Sequence, residues 1–165
     1  HRDLHSFLHD ALPIFAESVC THFAQIDQEL YPEIQSHGYY TNSTHLDVAS
    51  TDDVFEALHI QQDFQNQYSG ATSFPVFIDH GIEDWKMAAL LVKTIYENYD
   101  VPVFTITPTY SICEEHGYLL GHQDICPKCS KSTEIYSRAS GYYRNLEDWN
   151  EGKQKEFSRR KTYSI

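Results

Sequence analysis

Phe15, Val19, Phe23, Ile26 and Leu30 recur at helical spacing and mark one apolar stripe, closed by Pro32. Thr51-Asp52-Asp53 supplies a capping hydroxyl followed by acids at the positive end of a helix dipole. Val54, Phe55 and Leu58 carry that helix towards Tyr68, and Gly70 breaks it. Ser73–Ile78 reads as a short buried strand, with Pro75 restricting its place in a sheet. Ala88, Leu91, Val92, Ile95 and Tyr99 form a helical stripe within Ile82–Tyr99, and Val101–Ile106 reads as a second strand. Strand, helix and strand within about 34 residues predict a βαβ unit with parallel strands and a right-handed crossover. One such unit with flanking helices neither closes a barrel nor completes a doubly wound sheet, so the stretch reads as part of a larger α/β domain. Past Pro108 the periodicity stops, and residues 113–141 read as turn-rich with short strands at best. Leu146–Arg160 reads as a terminal helix weakened by Gly152.

Composition narrows the class. Of 165 residues, 41% are hydrophobic and 22% charged, which suits a packed domain. The net charge of −12 argues against a nucleic-acid or anionic-membrane partner, because phosphate surfaces demand positive charge. No apolar run approaches the roughly 20 residues needed to span a bilayer, and no secretory signal is visible. A cytoplasmic location is expected. The charge is uneven: residues 1–100 hold 3 basic and 16 acidic residues, whereas residues 101–165 hold 9 and 8. The opening is unusual too. Ser6–Ile14 resembles a peptide translated from sequencing-adapter DNA, so residues 1–14 read as a non-native scar.

Three of the four cysteines fall in the basic part. Cys113-Glu114-Glu115-His116 and Cys126-Pro127-Lys128-Cys129 are two pairs with two-residue spacers. Such a spacer lets a tight turn aim both side chains at one ion, and three thiolates with one imidazole make a closed tetrahedral zinc set. A closed set leaves no open position for catalysis, so a metal there is structural. Two alternatives stay open: disulfide pairing or a Cys126–Cys129 redox pair in place of the metal, and His122 in place of His116. Cys20, alone on a helix, reads as a small buried hydrophobe.

Tyr136-Ser137-Arg138-Ala139-Ser140-Gly141-Tyr142-Tyr143-Arg144 follows the second pair. Taken alone, Gly141 reads as a turn glycine that needs positive φ. The stretch Arg-x-x-Gly-Tyr behind a cysteine-rich knot resembles the radical loop of anaerobic (class III) ribonucleotide reductases. The likeness also covers Tyr39–Leu46, Asp52–Leu58, Gln65 with Tyr68-Ser69-Gly70, Thr107–Cys113, His116–Leu119 and Trp149-Asn150-x-Gly152-Lys153-Gln154, and so runs over residues 30–163.

The resemblance implies an α/β fold: residues 15–108 as the C-terminal part of a glycyl-radical-enzyme ten-stranded barrel, 109–134 as a small zinc-ribbon-like knot, and 135–165 as the glycyl radical loop and a C-terminal helix. It implies anaerobic reduction of ribonucleoside triphosphates. Gly141 would carry a glycyl radical installed by a radical-SAM activating enzyme, and Cys113, His116, Cys126 and Cys129 would hold a structural zinc. A cysteine upstream in the family would form the thiyl radical that attacks the nucleotide. Nucleotide effectors and a homodimer are implied for the full-length protein, and the stretch by itself would be inactive. Tyr142 and Arg138 would pack or tether the loop. His116 stands where the family often has cysteine, Ala139 where it often has valine, and Gly70–Pro75 departs from a common Gly-Gly-Thr-x-Phe-His pattern. Two other readings compete. One is a zinc-ribbon interaction module for protein or nucleic acid, suggested by the seven basic residues in 138–165. The other is a glycyl radical enzyme acting on small molecules, a group that lacks the zinc knot as a rule.

Overall fold

The computed structural model describes residues 19, 22–32, 37–41, 45–69, 72–79, 81–82, 84–139 and 141–163. Residues 1–14, Phe15 and Cys20, on which three of the expectations fall, lie outside them.

Residues 22–30 are helical (α1). The apolar stripe is not the buried face: Phe23 and Leu30 are 52% and 65% exposed, and the buried residue is Ala24. No described core residue lies opposite that stripe.

Helix α2, Val54–Gln65, begins where the acids predict, but its cap is Asp53, whose carboxylate accepts from the N–H groups of Phe55 and Glu56. Thr51 acts one step earlier, accepting from Asp53 N–H at 3.1 Å and donating to Glu56. Val54, Ala57, Leu58, Gln61 and Gln65 form its buried face, at spacings that repeat every three or four residues.

Strands β1 (Phe74–Ile78) and β2 (Phe104–Pro108) pair in parallel, with Phe74 opposite Phe104 and Ile78 opposite Pro108. Helix α3, Trp85–Asn98, lies between them in sequence, capped by Asp84. This is the expected βαβ order. β2 starts three residues later than its apolar run, because Pro102 has no N–H to give a ladder. Val103 still accepts from Phe74 N–H at 2.9 Å. One core joins Val54, Ala57 and Leu58 of α2, Phe74, Val76 and Ile78 of β1, and Leu91 and Ile95 of α3. The α3 stripe is narrower than expected: Val92 is 43% exposed, and only Leu91 and Ile95 are buried.

After a single linking residue, Thr109, the chain enters a four-stranded antiparallel sheet in the order β4-β3-β5-β6. Its strands are Tyr110–Cys113 (β3), Gly117–Leu120 (β4), Glu134–Arg138 (β5) and Tyr143–Asn145 (β6). The sequence shows no periodicity here because strands this short bury few apolar residues. Rings substitute for them: Tyr110 lies 5.4–5.5 Å from the rings of Tyr118, Tyr136 and Tyr143. The expected knot and loop regions are therefore parts of one sheet.

The expected terminal helix is split into a 3-10 turn, Leu146–Asp148, and α4, Glu151–Arg159, which starts at the Asn150 cap. Gly152 sits buried in the first turn of α4, where a helix interior is not interrupted. Beyond α4 the tail returns to the first sheet, with Lys161 N–H on Val48 O at 2.9 Å and Tyr163 N–H on Phe77 O at 2.8 Å. No helix among the described residues is long and apolar enough to cross a membrane.

Leu58 is fully buried in the shared core. Leu58→Ala should lower stability by about 2–5 kcal/mol. Leu90→Ala, at a position 57% exposed, should change it by no more than about 0.5 kcal/mol. Thermal unfolding of the two variants beside the parent tests the difference.

Candidate metal centre and glycine hairpin

The β3–β4 hairpin turns through Glu114, Glu115 and His116, and Gly117 follows with φ of +69°. Ser130, immediately after Cys129, also has positive φ, at 59°. Each ligand pair therefore ends in a left-handed residue, which turns the chain back after its second donor. In the second turn Ser130 N–H donates to Cys126 O and Cys126 N–H to Lys131 O, both at 2.8 Å. Buried Ser111 ties the corner to the strand behind it. Its hydroxyl donates to Gly121 O and accepts from Gln123 N–H, both at 2.9 Å.

This geometry gathers Cys113, His116, Cys126 and Cys129, with all four donor atoms within 4.8 Å of one another. Cys113 Sγ lies 3.6 Å from Cys129 Sγ and 3.7 Å from His116 Nδ1, and Cys126 Sγ lies 3.6 Å from the same nitrogen. A tetrahedral site with metal–sulfur bonds of about 2.3 Å has edges of about 3.8 Å, so the four donors can hold one metal ion. The three cysteines are free, with no disulfide among them. His122 is not a donor: its Nε2 lies 3.1 Å from Asp124 and its ring packs on Phe157.

The turns also tune the thiols. Burial pushes Cys113 up, yet the His116 ring and the backbone N–H groups of His116 and Glu115 carry it below the ordinary cysteine value. Burial likewise raises Cys126, but N–H groups of Lys128 and Cys129 and the neighbouring sulfurs bring it lower. For Cys129 the Lys131 N–H acts downward, and burial with the two other sulfurs outweighs it. Hydrogen bonds to a thiolate favour the form that binds metal.

Across the sheet, β5 and β6 pair Arg138 with Tyr143, and Ala139 N–H donates to Tyr142 O at 3.2 Å. The chain thus reverses between Ala139 and Tyr142, and Gly141 is exposed in that link. An added Cβ at Gly141 would meet nothing within 4 Å among the described residues. Arg138 lies over the Tyr143 ring at 5.5 Å, while Tyr142 closes the turn through its carbonyl.

Behind the hairpin is a cavity of about 380 Å³, lined by Gly141, Arg138, His45, Ser73, Lys153 and Glu156 among others. Ser73 Oγ and Arg138 Nε are buried without a partner among the described residues. Burial and Lys153 hold the His45 imidazole below its ordinary value, against Glu156. Lys153 and Glu156 of α4 form a buried trio with its C-cap residue, Arg160, that sequence reading passed over. Glu156 Oε2 pairs with Lys153, and Glu156 Oε1 lies 2.8 Å from Arg160 Nη2. The three side chains are 6%, 5% and 2% exposed. Their spacing of three and four residues, one acid between two bases, is the signal that could have linked them. Burial alone was invisible, since each type is ordinarily solvated.

Comparison with known proteins follows the same outline. The sequence profile described as "Anaerobic ribonucleoside-triphosphate reductase" matches residues 6–163. The Haemophilus influenzae anaerobic ribonucleoside-triphosphate reductase is 26% identical over 159 residues, and the Escherichia coli K12 protein of that name 24%. Each alignment covers 88% of this chain and 22% of the relative, so the chain spans about a fifth of their length. A solved anaerobic ribonucleotide reductase superposes with a TM-score of 0.73 at 25% identity, covering 91% of this chain and 24% of that one. The Thermotoga maritima anaerobic ribonucleotide reductase with dATP and CTP bound shares the fold, with a TM-score of 0.64 at 22% identity over 86% of this chain and 23% of its own.

The corner makes a prediction. The protein should hold a single metal ion that a strong chelator removes, with loss of order in the outer sheet. His116→Ala should weaken binding at least about tenfold, as expected for loss of one of four donors, while His122→Ala leaves affinity unchanged. Metal analysis and competition with a chromogenic chelator read both.

Proposed function

This chain belongs to the anaerobic ribonucleoside-triphosphate reductase family, and from that premise we propose that it is the zinc-binding, radical-bearing C-terminal portion of such an enzyme. Residues 15–108 supply the last part of a ten-stranded α/β barrel, 109–134 a zinc-ribbon-like knot, and 135–165 the glycyl radical loop and C-terminal helix. The parallel β1–β2 pair with its covering helices supports the first assignment, and the three-sulfur, one-nitrogen corner supports the second. Family membership favours this reading over an interaction module.

One observation carries the assignment of Gly141. Gly141 is exposed in the link between β5 and β6, and an added Cβ would meet nothing within 4 Å among the described residues, so its α-carbon is open to approach and no described neighbour calls for glycine there. Without Cβ, a radical there becomes planar and delocalises into both flanking peptide groups. A radical-SAM activating enzyme removes one hydrogen atom from that carbon. The glycyl radical then takes the S–H hydrogen of a cysteine contributed by the remainder of the barrel, restoring the Gly141 C–H bond. The thiyl radical in turn takes the 3′-hydrogen of a ribonucleoside triphosphate, and the 2′-hydroxyl takes up a proton and leaves as water. A formate or thiol reductant supplies the two electrons and the second proton that complete the reduction, and the cysteine returns the hydrogen to C3′. The residues of this chain present the glycine. Cys113, His116, Cys126 and Cys129 would hold zinc, which supplies a rigid anchor and no open position for substrate. The full-length enzyme works in the cytoplasm as a homodimer under nucleotide effectors, supplying deoxyribonucleotides for DNA replication, and the present stretch does not turn over alone.

Anaerobic activation of the full-length protein should give the doublet signal of a glycyl radical in electron paramagnetic resonance. Gly141→Ala should abolish both signal and turnover, and a signal that survives the substitution rejects the assignment. Air should cleave the activated chain at Gly141, leaving a fragment that mass spectrometry places near Ser140.

A further inference from the structure

Arg160 joins the two sheets at the root of the glycine hairpin. Its side chain is 2% exposed, and its guanidinium lies over the Phe77 ring of β1 at 3.8 Å. Nη1 donates to Ser137 Oγ at 3.2 Å, and Nη2 reaches Glu156 Oε1 at 2.8 Å and, more loosely, Arg138 O at 3.5 Å. Ser137 and Arg138 are the last two residues of β5 before the turn that carries Gly141. Ser137 is fully buried and also meets the Thr109 hydroxyl, at 3.3 Å, in the link between the sheets.

A buried charge of this kind is a poor source of stability, because desolvation offsets its pairing, whereas its directed bonds fix geometry. The planar fork can face a carboxylate and strand atoms at once, which a lysine ammonium cannot do with the same shape. Glu156 is itself held by Lys153 on its other oxygen, so the fork is oriented before it reaches the strand. Transfer of a hydrogen atom needs close approach of the reacting atoms, and a misplacement of about 1 Å can cost about 100-fold in rate.

We propose that Arg160, oriented by Glu156, is a positioning residue that holds the end of β5 so that the Gly141 hairpin meets its reaction partner in register. The proposal rests on the assignment of Gly141 as the radical site. Arg160 touches no reacting atom and acts through Ser137 and Arg138.

The test uses the full-length enzyme, activated anaerobically, with three quantities measured on each sample: metal content, glycyl radical per chain, and turnover per radical. Arg160→Gln removes the charge and one prong. Arg160→Lys keeps the charge beside Glu156, and Ser137→Ala removes only a strand contact. The expected result is unchanged metal content, radical content within about twofold of the parent, and turnover per radical lower by about 10- to 100-fold in Arg160→Gln. Arg160→Lys should not restore it, and Ser137→Ala should show a smaller loss of the same kind. If Arg160→Gln does not fold, the other two variants decide by the same ratio. Turnover per radical equal to the parent's in the folded variants overturns the proposal and leaves Gly141 as the radical site. A parent enzyme that shows no glycyl doublet overturns both.

Discussion

The four-stranded sheet has a small buried cluster, and four donors that could hold one metal ion converge at its corner. The buried cluster there is Cys113, Leu119 and Cys126, with Cys129 packed against it, so three of its four members are metal-ligand candidates. Strands of three to five residues cannot bury the area that an independent sheet needs. Coordination of a metal at such a corner would supply order that burial does not. The two left-handed residues, Gly117 and Ser130, make this possible by turning the chain after each pair.

The glycine hairpin is held at its base and open at its tip. Below it, β5 is an interior strand of the donor-bearing sheet, paired with β3 and β6. Behind it stands α4, with Arg160 reaching the last residues of β5. The tail then ties α4 to the segment before α2 at Val48 through Lys161 and to β1 at Phe77 through Tyr163. Rigid support on two sides with a free apex suits a residue that must be presented to another part of a larger enzyme. The polar character of the support is consistent with that role, because ionic contacts specify direction where apolar packing specifies only proximity.

Much of the candidate site was legible because its information is local. A two-residue spacer between donors sets how a turn can point them, so the two pairs stand out from the chain without any knowledge of the fold. The same holds for the βαβ order, where apolar runs and a helical stripe follow one another within a short stretch. The choice between His116 and His122 was not local. Both lie near the cysteines in sequence, and only the β3–β4 register turns one towards the sulfurs and the other towards Asp124 and Phe157.

The sequence by itself determined the donor set as a short group of candidates, the alternation of strand and helix, the cap region of α2 and the glycine worth asking about. Tertiary structure decided which side chains are buried, because burial is set by what packs from elsewhere. Phe23 and Leu30 of the α1 stripe are exposed, while Lys153, Glu156 and Arg160, of types that are ordinarily solvated, lie inside. It also decided the surroundings of Gly141, where an added Cβ would meet nothing within 4 Å among the described residues. Spacing along a chain encodes local geometry; contacts between segments distant in sequence arise only when the sheets and helices close on one another.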